Sequence, residues 1–166
     1  MADQFTSNLD DAGWRNFFDS LIGAERESFA RKIAVEGGVL IRDAAANLAL
    51  IADNKEGAPR RGLLSHAMYL VYSEAKSGNG IFTYTVSWNA TKAPHGHLIE
   101  FGHWRTHVVY KAAIGEWYSD LRAPLANPIW VPARPILRPT MDAYGSLTLK
   151  AMVQRGRREF SLIFGA

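Results

Sequence analysis

The chain has no cysteine at any of its 166 positions. Disulfides, thiolate metal sites and cysteine nucleophiles are therefore excluded, and folding in a reducing compartment, the cytosol, is the expectation. No apolar run approaches the roughly 18 residues that a membrane-crossing helix needs. The start, Met1-Ala2-Asp3-Gln4-Phe5, lacks the basic residues and apolar stretch of a secretory signal. Catalytic signatures are equally scarce: there is no Gly-x-Ser-x-Gly elbow, no H-E-x-x-H and no phosphate-cradling G-x-x-x-x-G-K-[ST] loop. Internal repeats and low-complexity segments are missing too. What is left has the composition of an ordinary globular chain, 48% apolar and 21% charged, and its length suits a single domain.

The net charge of +3 hides an asymmetry. Residues 1–57 carry six Lys/Arg against ten Asp/Glu, a net of −4, whereas residues 58–166 carry thirteen against six, a net of +7. Opposite ends of opposite sign guide head-to-tail self-association or turn a basic face to nucleic acid; two solvated surfaces of no special role give the same numbers.

Along the chain, Trp14, Phe17, Phe18 and Leu21 recur at helical spacing behind the capping candidates Asn8, Asp10 and Asp11, which predicts a helix over residues 11–22. A longer helix is expected over 24–54, with Phe29, Ile33, Leu40, Ala44, Leu48 and Ile51 on one side and Gly37-Gly38 weakening or bending its middle. The centre reads as sheet. Residues 68–72 and 81–88 are rich in aromatic and β-branched side chains, and Ser77-Gly78-Asn79-Gly80 between them is a turn cluster. Residues 98–101 read equally as strand or helical turn, and a second hairpin is expected around Gly115, pairing 108–110 with 116–118. A last helix is expected over 140–153, followed by a basic and apolar tail over 151–166. The order of elements predicts an α+β domain, with a long N-terminal helix packed on a small antiparallel sheet and a further C-terminal helix.

Two stretches stand out. Ile99-Glu100-Phe101-Gly102-His103 is an apolar run holding one carboxylate and closed by glycine. Val131-Pro132-Ala133-Arg134-Pro135-Ile136-Leu137-Arg138-Pro139 fixes φ at three prolines and disfavours the α region at Val131, Arg134 and Arg138, so it forms a stiff strap from which a helix starts at Pro139. Flanked by Ile99 and Phe101, Glu100 needs either a cation or an exposed position, because an unpaired buried charge is costly. Arg134 and Arg138 are the candidate partners, within one chain or between two.

Other groups carry less. His95, His97, Glu100, His103 and His107 lie within thirteen residues, and imidazole with carboxylate is a workable zinc set. The H-x-x-E-H spacing is incomplete, however, and polar residues at a loop edge explain the cluster better than a metal does. No metal, cofactor or catalytic residue is assigned. Lys150, Arg155, Arg157 and Arg158 offer phosphate contacts of salt-dependent strength without any DNA-reading module.

Three motifs in order resemble a family. Ala58-Pro59-Arg60-Arg61-Gly62-Leu63-Leu64 is similar to an Ala-Pro…Gly-x-Leu signature, Glu100-Phe101-Gly102 to a Glu-Phe-Gly motif, and Pro132-Ala133-Arg134-Pro135-Ile136-Leu137-Arg138-Pro139 to a Pro-Ala-x-Pro-Phe-Leu-Arg-Pro strap, with Ile136 where Phe is usual. The family is that of the neck, or tail-completion, proteins of long-tailed bacteriophages, and the resemblance covers roughly residues 24–150. Departures are Arg61 in place of Thr or Ser, a long segment over 104–128, and an N-terminal helical extension over 1–23. The resemblance implies a non-enzymatic virion protein at the head–tail junction. It would assemble in the host cytoplasm into a six- or twelvefold ring beside portal-adaptor, neck or tail proteins. Gly62, Glu100, Phe101, Gly102, Pro132, Arg134, Pro135, Arg138 and Pro139 would frame its interfaces. Lys150, Arg155, Arg157 and Arg158 would face genomic DNA in the lumen or a neighbouring ring. A small non-specific DNA-binding protein and a histidine-based metal hydrolase are the competing expectations.

Overall fold

A computed structural model describes residues 23–53, 63–113 and 117–164. Helix α1 (Gly23–Asp53) leads to a short helix α2 (Leu63–Ala67) and strand β1 (Met68–Tyr72). A single 3-10 turn (Glu74–Lys76) precedes β2 (Tyr84–Trp88), helix α3 (Gly96–Phe101), the long strands β3 (His103–Lys111) and β4 (Trp117–Val131), and helix α4 (Leu137–Phe164). The α+β class is as expected, with one difference in the sheet: the described residues form two separate two-stranded antiparallel sheets, β1–β2 and β3–β4. The helix expected over 11–22 and the Ala58-to-Gly62 signature lie outside the described residues.

Gly37 and Gly38 do not interrupt α1, which is one helix of 31 residues. They bring two neighbours close instead. A Cβ on Gly37 would lie 2.6 Å from Met152 Sδ and 2.9 Å from Thr148 Cγ2 on α4, and one on Gly38 would lie 2.5 Å from Leu70 Cδ1 on β1. Adjacent glycines point in different directions around a helix, so one serves α4 and the other the β1–β2 sheet. The helix entropy that glycine costs is offset by this close packing. Further along α1, the Arg31 guanidinium sits 4.1 Å from the centroid of the Tyr72 ring and 2.7 Å from Glu27 Oε1.

The turn cluster behaves as its residues dictate. Asn79 (φ 51°) and Gly80 (φ 81°) are both left-handed between the paired residues Gly78 and Ile81, the backbone that suits a tight two-residue hairpin turn. The core is small and lies at the C-terminal half of α1, where Ala45, Ala49, Leu64, Ala67, Ala93 and Ile136 are buried with Trp88, Ile99 and Leu137 against them. Gly96 is buried under the Trp88 indole, which fills the place of a side chain.

Helix α4 corrects the sequence reading at both ends. It begins at Leu137 rather than Pro139, and residues 151–164 continue it rather than forming a tail. The basic residues placed there are largely engaged with α1. Glu159, almost fully buried, receives Lys32 Nζ and Arg155 Nη2 at 2.7 Å each, while Arg155 and Arg158 both reach Glu36 at 3.6 Å. The hydrogen bond from Lys32, followed by the charges of Lys32 and Arg155, outweighs burial and holds the Glu159 carboxyl below its ordinary value. No helix among the described residues is long and apolar enough to cross a membrane.

Two outcomes follow. Gly37→Val forces Met152 and Thr148 apart and adds a β-branched residue to the helix. It should lower stability by about 2 kcal/mol, as overpacking does, read from the urea midpoint. A carboxyl with a depressed folded-state value stabilises the fold above its unfolded value, and that contribution fades as pH falls through the folded one. Urea midpoints should therefore drop steeply below about pH 4.5 in the native chain, and Glu159→Gln should flatten that part of the profile.

Candidate assembly interface

The strap and the Glu-Phe-Gly segment, far apart in sequence, meet at one point. Strand β4 ends at Val131, and residues 132–136 run irregularly to α4. Ile136 inserts its side chain into the core, 2% exposed. Its backbone N–H donates to Glu100 Oε2 at 2.7 Å, and the Leu137 N–H donates to Oε1 at 3.2 Å. The Arg134 N–H donates to the Ile99 carbonyl at 2.7 Å. Glu100 thus caps α4 from 36 residues away, placing a carboxylate at the positive end of the helix. Thr140 completes the first turn: its N–H and its hydroxyl both donate to the Ile136 carbonyl, at 3.2 and 2.7 Å. Pro139 falls where a missing N–H is harmless.

The partner of Glu100 is therefore backbone within the same chain, and the expected pairing with Arg134 or Arg138 is not found. Both arginines are exposed, and neither forms an ion pair among the described residues. Arg138 is also helical rather than extended, because the capped first turn outweighs the preference imposed by Pro139.

Gly102 ends α3 with φ 74° and hands the chain to β3. A Cβ there would stand 2.8 Å from both Ala133 N and Val131 O, so glycine is required by backbone angle and by space together. Phe101, between these two anchored residues, points outward and is 65% exposed. Residues 98–101, which the sequence left open between strand and helical turn, thus belong to a helix. Among the described residues no three His, Asp or Glu cluster to hold a metal ion.

From this anchor the β3–β4 hairpin extends well beyond the short pairing expected around Gly115. Residues 103–105 pair with 131–129, His107 with Pro124, and Val108 to Lys111 with Asp120 to Trp117. The register shifts insert extra residues into β4, which carries Pro124 and Pro128. Bulges and prolines blunt the β4 edge, whereas β3 has neither proline nor glycine. Exposure alternates along β3, with Trp104, Thr106, Val108 and Tyr110 on the open face. Trp104 stacks at a tilt on Trp130, 5.3 Å between centroids, and Tyr110 on Tyr118 at 6.1 Å. Trp104 is 61% exposed and Trp130 47%. A two-stranded sheet is marginal alone in water, and this one carries its aromatics outward.

Of the residues singled out in the sequence, Glu100, Phe101, Gly102, Pro132, Arg134, Pro135, Arg138 and Pro139 come together around the strap. Gly62 lies outside the described residues. Lys150 and Arg157 are exposed on α4, and Arg155 and Arg158 are turned to acidic partners. From sequence alone Trp104, Trp117, Tyr118 and Trp130 read equally as interface anchors or as core packing. Tyr110 was missed, although the alternation Trp104, Thr106, Val108, Tyr110 signalled it. Comparison with protein-family models, curated proteins and solved structures found no match.

Removing the Glu100 carboxylate strands two backbone donors, so Glu100→Ala should cost about 2–3 kcal/mol, with Glu100→Gln intermediate, in chemical denaturation. Gly102→Ala should cost at least about 1–2 kcal/mol from its left-handed backbone alone.

Proposed function

We propose that this chain is a structural subunit of a tailed bacteriophage, a neck or tail-completion protein that forms a ring joining the DNA-filled head to the tail. One observation carries the proposal: the two segments that resemble the family's motifs converge into a single clamp, and the clamp presents an uncovered aromatic hairpin. A strap that merely closed a core would leave nothing outside. Here Ile136 is the buried plug, while Pro132, Ala133, Arg134 and Pro135 remain exposed beside Phe101. Such a rigid frame with an apolar surface suits a subunit whose partners complete it. Head-to-tail rings need two different complementary surfaces on each subunit, and the opposite charges of the two ends of the chain are of that kind.

The DNA-binding alternative loses support because Arg155 and Arg158 serve the contact between α1 and α4. In the ring reading, Lys150 and Arg157 are the residues left to line a DNA passage or meet a neighbouring ring.

Native mass spectrometry of the purified chain, alone and with isolated phage heads or tails, tests the proposal. The expected outcome is a closed oligomer, or attachment to one of the two particles. A monomer that ignores both would overturn it.

A further inference from the structure

Strand β3 leaves one edge open. Among the described residues its single strand partner is β4, in a sheet of two strands, and the hairpin packs chiefly on itself. Proteins guard such an edge by keeping it short or by interrupting it. Strands β1 and β2 are short, at five residues each, and β4 is interrupted by Pro124, Pro128 and the residues that the register shifts insert. β3 has neither protection. Its nine residues contain no proline or glycine, and its exposure alternates without a break from His103 to Tyr110.

The sequence of β3 is also matched to itself. Outwards from His107 at its centre, Thr106 mirrors Val108, Arg105 mirrors Val109, Trp104 mirrors Tyr110 and His103 mirrors Lys111. When two antiparallel copies of a strand pair over their full length, residues equidistant from the centre stand opposite one another. For β3 that sets aromatic beside aromatic and β-branched beside β-branched on the open face, and nowhere sets Lys or Arg opposite Lys or Arg. A slip of one residue would turn the aromatic faces of the two hairpins to opposite sides. Net charge is no obstacle, since residues 103–131 carry three Lys/Arg against two Asp/Glu, a net of +1.

We propose that two copies of this chain pair through their β3 edges, antiparallel about a twofold axis at His107, to make one sheet in the order β4–β3–β3–β4. Trp130 and Trp104 of one copy then continue into Tyr110 and Tyr118 of the other as a single aromatic row, repeated by symmetry. The row extends the cross-strand pairs already present within one chain, at 5.3 and 6.1 Å between centroids. Nine paired residues exchange about eight to ten main-chain hydrogen bonds. Two strands alone are marginal in water, and a wider sheet with an apolar face is what each hairpin lacks. The strip covered is about 30 Å long and about 10 Å deep, on the order of 600 Å² over both copies, against the roughly 1,200 Å² of a lasting dimer. The contact is therefore reversible and populated at high local concentration. It does not rest on the function proposed above: a twofold contact matches one surface with itself, whereas a ring needs two different surfaces.

The absence of native cysteine makes the register directly testable. In this pairing the two copies of residue 107 stand opposite each other at a Cα separation of about 4.5–5.5 Å, within disulfide reach. The two copies of residue 105 are offset by about 13 Å along the strands, beyond that reach. Full-length His107→Cys, Arg105→Cys and Ile81→Cys proteins are oxidised mildly at equal concentration. Ile81, 64% exposed on the other hairpin, reports chance collision. The expected result is a His107→Cys disulfide dimer formed at least about tenfold faster than with either other variant, because pairing holds its thiols together. Arg105→Cys mixed with Val109→Cys should give a mixed dimer, and native mass of the unaltered chain should show a dimer fraction that rises with concentration. Equal rates for the three variants overturn the edge pairing, and larger oligomers formed without the residue 107 disulfide do so while leaving the ring standing. A chain that is monomeric at every concentration also overturns the pairing, and attachment to heads or tails then decides the ring reading separately.

Discussion

The carboxylate of Glu100 is the hinge on which the rest of the molecule turns. It is contributed by a six-residue helix too short to persist alone, and it satisfies the N–H groups of Ile136 and Leu137 at the start of a helix of 28 residues. A helix entering a core at an isoleucine has no cap of its own, since Ile136 offers no oxygen. Supplying the cap from elsewhere fixes three things together: where α4 begins, how deep Ile136 sits, and the direction in which the strap leaves the core. The Arg134 N–H bond to the Ile99 carbonyl adds a second fixed point. Gly102 adds a third, by allowing the backbone of the strap to touch the end of α3. The hairpin is then oriented by its root rather than by packing along its length.

The same pattern explains why the sequence was readable in some places and not in others. Local signals were reliable. Asn79-Gly80 marked a tight turn, the aromatic and β-branched run over 81–88 marked a strand that the structure has over Tyr84–Trp88, and the apolar period of α1 survived a double glycine. Long-range signals were not legible. Proline statistics put the start of α4 at Pro139, because no nearby residue could cap Leu137; the cap was 37 residues away. Arg155 and Arg158 read as a free basic tail because nothing local shows that Glu36 and Glu159 will lie against them. Glu100 was singled out correctly as needing a partner, yet the partner was backbone, which a search for opposite charges does not find. The length of β4 was hidden by its own prolines, which argue against a strand unless the residues around them bulge.

Glycine has two distinct uses here, and the distinction bears on the interface. Gly37 and Gly38 let elements of the folded chain approach each other and would look out of place in an isolated helix. Gly145, in the exposed stretch of α4 with Met141, Tyr144 and Leu147, has open space where a side chain would stand. The physical argument that accounts for Gly37, close approach of a neighbour, has no neighbour to act through at Gly145 among the described residues.

Exposed apolar groups are common on proteins and mean little singly. Their arrangement is what argues for assembly. On β3 and β4 they are paired across strands and share one face, and among the described residues no second layer covers that face, whereas such burial normally sustains two strands. The opposite edges differ as well: β4 is interrupted by prolines and bulges, as edges that must avoid pairing are, while β3 is continuous. A hairpin made only to cap the fold would gain nothing from outward tryptophans and a selectively protected edge. Both features have a use if the missing layer arrives from another molecule, with the Glu100 clamp fixing the angle at which it is received.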